Sequence, residues 1–187
     1  MRTVLSLCPF VVILLLAAPA ASQDEKSKKA DKPGPVHEQL MRLAGDYATT
    51  STLRLKPDQP PIETTGAAKI TSIHGGRFIL EENSGTSLGE KITGLRLVGY
   101  NNATGKYEAT WTYSMSTAQM SLTGTSKDGG KTIDWSGTFT KGKGDNQTLY
   151  VTTRILSNDR FEVELFAKTE GGGKGPTLVT TYTRKKG

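Results

Sequence analysis

The sequence predicts an all-β domain, an antiparallel up-and-down barrel of about ten strands with a short N-terminal helix. After Gly45, apolar side chains recur at every second residue, which is the period of a strand with one buried face. Turn-forming residues such as "NNATG", "SKDGG" and "EGGGKG" separate these runs, and short connections favour antiparallel hairpins. Closing such a meander into a barrel removes the two exposed edges of an open sheet. A two-sheet sandwich is the alternative.

The N-terminus predicts a secretory signal peptide over residues 1–22. It combines the basic start Met1-Arg2, the apolar run "FVVILLLAAPA" and small residues at the end of that run. We therefore expect an exported protein, periplasmic or secreted, that begins near Ala21 or Gln23. An uncleaved anchor is the alternative, because the run is just long enough to span a membrane. No transmembrane segment is predicted after cleavage.

Residues 23–35, "QDEKSKKADKPGP", predict a disordered charged spacer. A single domain over residues 36–187 is predicted to follow, and it opens with "VHEQLMRLAG". Val36, Leu40 and Leu43 fall at i, i+4 and i+7, which predicts a helix of about two turns that stops near Gly45. The one cysteine, Cys8, lies in the signal peptide, so the mature chain should contain no disulfide and no thiolate metal site.

The strands that follow each have one predicted inward face. These faces carry Tyr47, Leu53 and Leu55; Phe78 and Leu80; Leu95 and Leu97; Tyr107, Ala109, Trp111 and Tyr113; Ile133, Trp135 and Phe139; and Phe161, Val163 and Leu165. Further strands are predicted over Glu63–Ile73, Ala118–Ser126, Thr148–Leu156 and Thr177–Arg184. The stretch "WTYSMSTAQM" is therefore interpreted as the end of one strand (Lys106–Ser114), a bend, and the start of the next.

The chain has 24 basic and 18 acidic residues, a net charge of +6 and a pI near 9.4. The basic residues are scattered along the strands, apart from "KSKKADK" and the terminal "RKK". This distribution is typical of a solvated surface, and no nucleic-acid partner is predicted. Attraction to an anionic envelope surface is the alternative.

Few residues are suited to catalysis or metal binding. The two histidines, His37 and His74, have no spacing that ties them to Ser114 or Ser116, so no catalytic serine is predicted. Two isolated histidines without cysteines predict neither a metal site nor a cofactor. The pair Glu162 and Glu164 shares the predicted solvent face, which favours a charged exterior over acid–base chemistry.

Several motifs resemble a bacterial family known as domain of unknown function 1579. They are "GPVHEQLMRLAGDY", "IHGGRFILEE", "GYNNATGKYEATWTYSMST", "VTTRILSNDRFEVELF" and "TYTRKK", which together extend from about Pro35 to Lys186. The resemblance implies a lipocalin-like, calycin-type antiparallel barrel akin to fatty-acid-binding and nitrobindin-like barrels. It implies no reaction.

The chain departs from the pattern of that family at three positions. The family usually has tryptophan where Tyr47 stands and aspartate where Asn101 and Tyr113 stand. A phenol at position 113 removes an inward carboxylate that would serve as an anchor or a base. Nitrobindin-like barrels hold haem through a histidine late in the chain, whereas the last histidine here is His74, so haem is not predicted.

The leading hypothesis is a non-enzymatic barrel that binds a small apolar or amphipathic molecule inside. The residues predicted to line the cavity are Tyr47, Phe78, Leu80, Glu82, Trp111, Tyr113, Met115, Trp135 and Phe161. The first alternative is a structural or interaction protein with a filled barrel that acts through its basic surface. The second is an enzyme that uses Glu82 as a cavity acid–base residue. The sequence predicts no oligomeric state.

Overall fold

The computed structural model describes residues 32–56, 58–87, 89–141, 144–166 and 177–186. These residues form α1 (Pro35–Met41), β1 (Gly45–Leu53), β2 (Ile62–Ile73), β3 (Phe78–Ser87), β4 (Glu90–Asn101), β5 (Lys106–Tyr113), β6 (Met120–Thr125), β7 (Thr132–Lys141), β8 (Asp145–Ser157), β9 (Arg160–Phe166) and β10 (Leu178–Arg184). The predicted signal peptide (1–22), the spacer up to residue 31 and the predicted turn "EGGGKG" (170–175) lie outside the described residues. Within the described ranges, no helix has the length and apolar character needed to span a membrane.

The ten strands form a closed antiparallel barrel. Each strand pairs with its neighbours in the sequence, and β1 pairs with β10 to complete the circle. At this closure Thr49 lies opposite Tyr182 and Thr50 lies opposite Thr181. The prediction of an all-β barrel of about ten strands with a short helix is confirmed, and the sandwich alternative is wrong. The chain bends between β5 and β6, as "WTYSMSTAQM" predicts, but the bend covers residues 114–119, because β5 ends at Tyr113 and β6 begins only at Met120.

The two ends of the barrel differ. At the helix end, where β1 begins and β10 ends, α1 packs against β3 and β4. Leu40 and Leu43 are buried there, and the Tyr47 hydroxyl donates a hydrogen bond of 2.9 Å to the Leu43 carbonyl. The opposite end, called the open end below, is the end at which β1, β3, β5, β7 and β9 finish. The helix therefore covers one end of the barrel only.

The predicted inward faces are confirmed on β1, β5, β7 and β9. Tyr47, Tyr107, Ile133, Trp135 and Phe161 are all buried in the core. Period-two alternation places each of these side chains on the concave face of the sheet, while the threonine, lysine and glutamate side chains between them face water. Leu55 is an exception: it lies beyond the end of β1 and is exposed.

The predicted facing is wrong on β3 and β4. Phe78 and Leu80 point outward, as do Leu95 and Leu97, while Ile79, Glu81, Arg96 and Val98 are the buried side chains of these strands. Both faces of this hairpin carry apolar residues, so apolar character alone does not identify the inner face. The structure buries Ile79 and Val98 together with the paired Glu81 and Arg96. Glu82, which was predicted to face the interior, therefore lies exposed on the outer face.

Candidate functional site

The open half of the barrel encloses a cavity of about 600 Å³. This volume lies within the range of roughly 300–1,000 Å³ that is typical of small-molecule sites. Most of the lining is apolar and comprises Leu53, Ile92, Trp111, Met115, Met120, Phe139, Leu149, Val163, Leu165 and Leu178. The polar residues of the lining are Thr49, Ser51, Thr64, Thr65, Ser84, Thr86 and Thr180, together with Glu81, Asn83, Arg96, Tyr113 and Tyr182.

The half of the barrel nearest the helix is filled by aromatic rings, which form the floor of this cavity. The Phe161 ring stacks on Tyr182 with centroids 4.2 Å apart, and Tyr47 meets Phe161 edge-on at 5.3 Å. Tyr107 packs against Trp135 at 5.9 Å. Such arrangements match the preferred geometries of aromatic pairs. The barrel is thus solid at one end and hollow at the other, and Tyr182 lies at the boundary between the two halves.

A buried ion pair lies in the wall of the cavity. Glu81 and Arg96 are paired across β3 and β4, and their side chains point inward. Arg96 donates from Nε to Glu81 Oε2 at 2.9 Å and from Nη2 to the same oxygen at 2.5 Å. Only 1% of Glu81 and 8% of Arg96 is accessible to solvent. A charge this deeply buried requires a partner of opposite sign and hydrogen bonds to its remaining lone pairs.

The other carboxylate oxygen of Glu81 has two further donors. The Tyr182 hydroxyl donates to Oε1 at 2.8 Å, and Asn83 Nδ2 donates to the same atom at 3.2 Å. Counting the two bonds from Arg96, the carboxylate accepts four hydrogen bonds, which is about its full capacity. The hydrogen-bonding capacity of the Glu81 carboxylate is therefore filled.

The environment fixes the charge states of the groups around Glu81. Burial, and then the negative charge of Glu81, raise the pKa of Tyr182 well above 10.0, so this phenol remains a protonated donor. Burial acts to lower the pKa of Arg96, but the attraction of Glu81 outweighs it, and the pKa lies above its ordinary value. The wall consequently holds one cation and one anion that neutralise each other.

Three of the nine residues predicted to line the cavity do so. They are Trp111, Tyr113 and Met115, of which Tyr113 and Met115 lie towards the open end and are 36% and 57% exposed. Tyr47, Trp135 and Phe161 also point inward, but they pack in the filled half and do not line the cavity.

The remaining three predicted residues lie on the outer surface of the barrel. They are Phe78, Leu80 and Glu82. The prediction placed them inside because it assigned the wrong face of β3 to the barrel interior. Glu82 lies opposite Leu95 on the outer face, so it cannot serve as a cavity acid–base residue. The carboxylate in the cavity wall belongs to its neighbour, Glu81.

The sequence-based prediction missed Glu81, Arg96, Asn83 and Tyr182. One signal for the pair was available in the sequence, because the short "SLGE" connection between the two strands limits the possible registers of the β3–β4 hairpin. The register in the structure places position 81 opposite position 96. An acid and a base at opposed positions share one face whichever way the hairpin is oriented.

The two histidines differ in burial and in hydrogen bonding. His37 is buried on α1; its Nδ1 accepts from the Gly34 amide at 3.1 Å and its Nε2 lies 3.0 Å from the Tyr100 carbonyl. Since an amide only donates and a carbonyl only accepts, Nδ1 is assigned as the acceptor and Nε2 as the donor. His74 is exposed in the turn after β2 and has a φ of 52°.

The serines of the β5–β6 bend accept backbone hydrogen bonds. Ser114 Oγ accepts from the Thr93 amide and Ser116 Oγ from the Ala118 amide, so both stabilise the bend. In the described part of the chain, no group of three or more His, Cys, Asp or Glu side chains is arranged to hold a metal ion.

Comparison with known proteins identifies the family and the fold. A family model described as "Protein of unknown function (DUF1579)" matches residues 32–184. The crystal structure of Rv2717c from M. tuberculosis is similar in fold, with a TM-score of 0.62 and 14% sequence identity over 83% of this chain and 100% of that one. A search of curated proteins finds no match. At this identity the structural similarity concerns the fold alone.

Proposed function

The chain belongs to the DUF1579 family of proteins of unknown function, and we propose that it binds a small apolar or amphipathic molecule in the open half of its barrel. The observation that carries this proposal is the cavity of about 600 Å³. A protein that needed only a stable scaffold would fill this space, because well-packed interiors leave few voids larger than a water molecule. The volume suits a ligand with one polar group and a hydrocarbon tail.

The distribution of side chains in the cavity supports an amphipathic ligand. Trp111 contributes a large apolar surface on one wall, and Met115 lies at the mouth, where a flexible thioether can adapt to different tails. The two charged groups of the lining, Glu81 and Arg96, lie deeper in the barrel, where Tyr182 and Asn83 donate to the carboxylate. A ligand would therefore bind with its polar group towards the ion pair and its tail towards the open end.

Binding accounts for these residues better than catalysis does. Proton transfer requires a carboxylate with a free lone pair within reach of the substrate. Each oxygen of Glu81 already accepts two hydrogen bonds. Glu82, the acid–base residue that the sequence suggested, faces away from the cavity. The hollow open half likewise disfavours the alternative of a filled barrel.

The proposal includes export of the protein. The basic start, the apolar run and the small residues of positions 1–22 are the parts of a signal peptide. N-terminal sequencing of the protein purified from its own host should find a mature end near Ala21 or Gln23. A chain that retains Met1 in the cytoplasmic fraction would contradict export without affecting the proposal of ligand binding.

The binding proposal is tested by blocking the cavity. Ile92 lines it from β4, whereas Leu95, on the same strand, faces outward. We expect Ile92→Trp to abolish or strongly weaken binding of the neutral apolar dye Nile red, and the matched variant Leu95→Trp to bind it as the wild type does. Equal dye binding by the wild type and the Ile92→Trp variant would show that the cavity is not the site.

Native mass spectrometry identifies the natural molecule. Protein purified from its own host under mild conditions should carry an additional mass that organic solvent removes. The Ile92→Trp variant, purified in parallel, should lack that mass. If both proteins have only the mass of the polypeptide and neither binds the dye, the proposal is wrong.

A further inference from the structure

We infer that the cavity selects ligands whose polar group is an uncharged hydrogen-bond acceptor, such as the carbonyl of an amide or ester, and discriminates against carboxylates with the same tail. This inference rests on the proposed function and names the ligand class for the same site. It depends on which hydrogen-bonding atoms of the ion pair remain free. It depends equally on the charges available in the cavity wall.

Arg96 has one nitrogen left for a ligand. Its Nε and Nη2 both donate to Glu81 Oε2. Its Nη1 has no hydrogen-bond partner among the described residues. Within those residues, every fully buried side-chain nitrogen or oxygen atom has a hydrogen-bond partner. Nη1 is therefore accessible, and the residue to which it belongs lines the cavity. A positively charged donor on a cavity wall favours a ligand that carries a hydrogen-bond acceptor.

The Glu81 carboxylate has no free lone pair that could accept a hydrogen bond from a ligand. Its four hydrogen bonds come from Arg96, Tyr182 and Asn83 and occupy both oxygens. An alcohol or amine that needs an acceptor in this position would have to displace one of these donors. The free hydrogen-bonding capacity beside the ion pair is thus mainly that of a donor, Arg96 Nη1.

Charge excludes a carboxylate from the same position. The titratable side chains that line the cavity are Glu81, Arg96, Tyr113 and Tyr182. Arg96 is the one cation among these lining residues, and Glu81 already neutralises it. A bound carboxylate would be an uncompensated second anion close to Glu81 in a low-dielectric interior, which is costly. A carbonyl oxygen accepts the same hydrogen bond without bringing a net charge.

The surroundings of Arg96 also provide a path for the tail. Trp111 lies opposite Arg96 in the β4–β5 register, so the two inward side chains are neighbours. From Trp111 the wall continues through Tyr113 to Met115 at the mouth. The extended chain from Trp111 to Tyr113 rises about 7 Å, and Met115 lies beyond it in the bend. A linear tail of medium length can extend over this distance with its polar group at Arg96.

Ligands matched in tail and different in polar group test the inference. We expect lauramide and methyl laurate to displace Nile red from the wild-type protein at least about tenfold more tightly than laurate does at neutral pH. Dodecane, which lacks a polar group, should bind more weakly than lauramide. Laurate affinity should rise as the pH falls and the acid becomes uncharged, while lauramide affinity should not change.

Two variants assign the preference to the ion pair. In Glu81→Gln the charge of Arg96 is no longer neutralised, so laurate should gain at least about tenfold in affinity and match or overtake lauramide. In the double variant Glu81→Met/Arg96→Met the donor is absent, and lauramide should bind no better than dodecane. Circular dichroism and thermal melting establish that each variant is folded, and the wild-type pH series decides the question if Glu81→Gln is not.

The outcomes separate this inference from the proposed function. Laurate binding the wild type as tightly as lauramide, or a preference unchanged in the double variant, would overturn the inference and leave ligand binding intact. If none of the four compounds displaces the dye and the dye itself does not bind, the proposed function fails as well. A preference for lauramide that disappears with the ion pair supports both.

Discussion

Glu81 and Arg96 lie opposite each other on β3 and β4 with both side chains inside the barrel, and Arg96 Nε is 2.9 Å from Glu81 Oε2. Inside the barrel, Arg96 is the cation that neutralises the Glu81 carboxylate. On the outer face of the same hairpin, Glu82 lies opposite Lys69 of β2 and Leu95 of β4. The Glu81–Arg96 pair therefore sets the polarity of the cavity wall.

Loss of one partner of this pair should destabilise the protein strongly. Arg96→Met leaves the Glu81 carboxylate buried without its cation, and we expect the free energy of unfolding to fall by about 3–5 kcal/mol. Replacing both partners in Glu81→Met/Arg96→Met removes the unpaired charge, so most of that loss should be recovered. Urea denaturation of the three proteins measures the difference. A double variant no more stable than Arg96→Met would show that the pair is not the cause.

Stability should fall at high pH because buried tyrosines are held in the neutral form. The pKa of Tyr182 lies well above 10.0, chiefly because of burial and secondarily because of Glu81, and burial also raises the pKa values of Tyr47 and Tyr107. Above pH 10 the unfolded chain loses these protons and the folded chain keeps them. The folded state then binds more protons, so stability is full below pH 10 and declines above it.

Urea denaturation at intervals between pH 9 and pH 11.5 measures this decline. Tyr182→Phe should flatten part of it, since phenylalanine does not ionise, although the variant also loses the hydrogen bond to Glu81. Tyr150→Phe changes an exposed tyrosine and is the matched control. A decline in the Tyr182→Phe variant as steep as in the wild type would contradict the assignment to Tyr182.

Arg184 should be essential to the packing of the helix end. Its Nη1 donates to the Ala44 carbonyl at 2.6 Å and its Nη2 to the Arg42 carbonyl at 2.8 Å, while the guanidinium lies 4.9 Å from the centre of the Tyr47 ring. Lysine cannot reproduce this fork of donors. We expect Arg184→Lys to lower the free energy of unfolding by about 1–3 kcal/mol, by thermal or urea denaturation.

A second arginine provides the control for that measurement. Arg154 pairs with Glu164 at 3.2 Å on the outer face of the barrel, where about half of the arginine side chain is exposed. Exposed ion pairs contribute about 0–1 kcal/mol, so Arg154→Lys should have a small effect. Equal losses in the two variants would show that the hydrogen bonds of Arg184 to the helix end stabilise the fold no more than an exposed ion pair does.

His37 should anchor α1 to the barrel. Its ring joins the Gly34 amide to the Tyr100 carbonyl, and it is buried. His37→Ala removes both bonds, and we expect a loss of about 1–3 kcal/mol in thermal denaturation. His74→Asn is the control, because asparagine tolerates the positive φ of that exposed turn. An unchanged melting temperature in His37→Ala would contradict an anchoring role.

The strands of the barrel were predictable from the sequence because one face of each is buried. Where a strand alternates cleanly, as in "KYEATWTY", its inner face follows directly from the period of two. In β4 the alternation is ambiguous, since Leu95 and Leu97 compete with Ile92 and Val98 for the same role. The structure resolves this ambiguity, because it buries Arg96 and Val98 and exposes Leu95 and Leu97.

The extent of the cavity was not predictable from the sequence. Trp111 and Trp135 have the same inward facing, yet one lines the hollow half and the other lies in the filled half. Their positions along the barrel axis depend on the stagger between strands, which a residue pattern within one strand does not contain. The same is true of Tyr182, whose hydroxyl reaches Glu81, a residue 101 positions away in sequence.

The two tryptophans of the chain offer a direct report on where a ligand sits. Trp111 lines the cavity beside Arg96, whereas Trp135 is buried in the filled half with its Nε1 donating to Thr153 Oγ1 at 3.1 Å. An apolar ligand that displaces water from the cavity should shift the emission of Trp111 to shorter wavelength and leave Trp135 unaffected. In Trp135→Phe, where Trp111 is the sole tryptophan, titration with lauramide should therefore retain the full shift. In Trp111→Phe the emission should not respond, even though Nile red displacement still detects binding. A response that survives in Trp111→Phe and disappears in Trp135→Phe would place the ligand among the aromatic rings of the helix end, and the assignment of the cavity would be wrong.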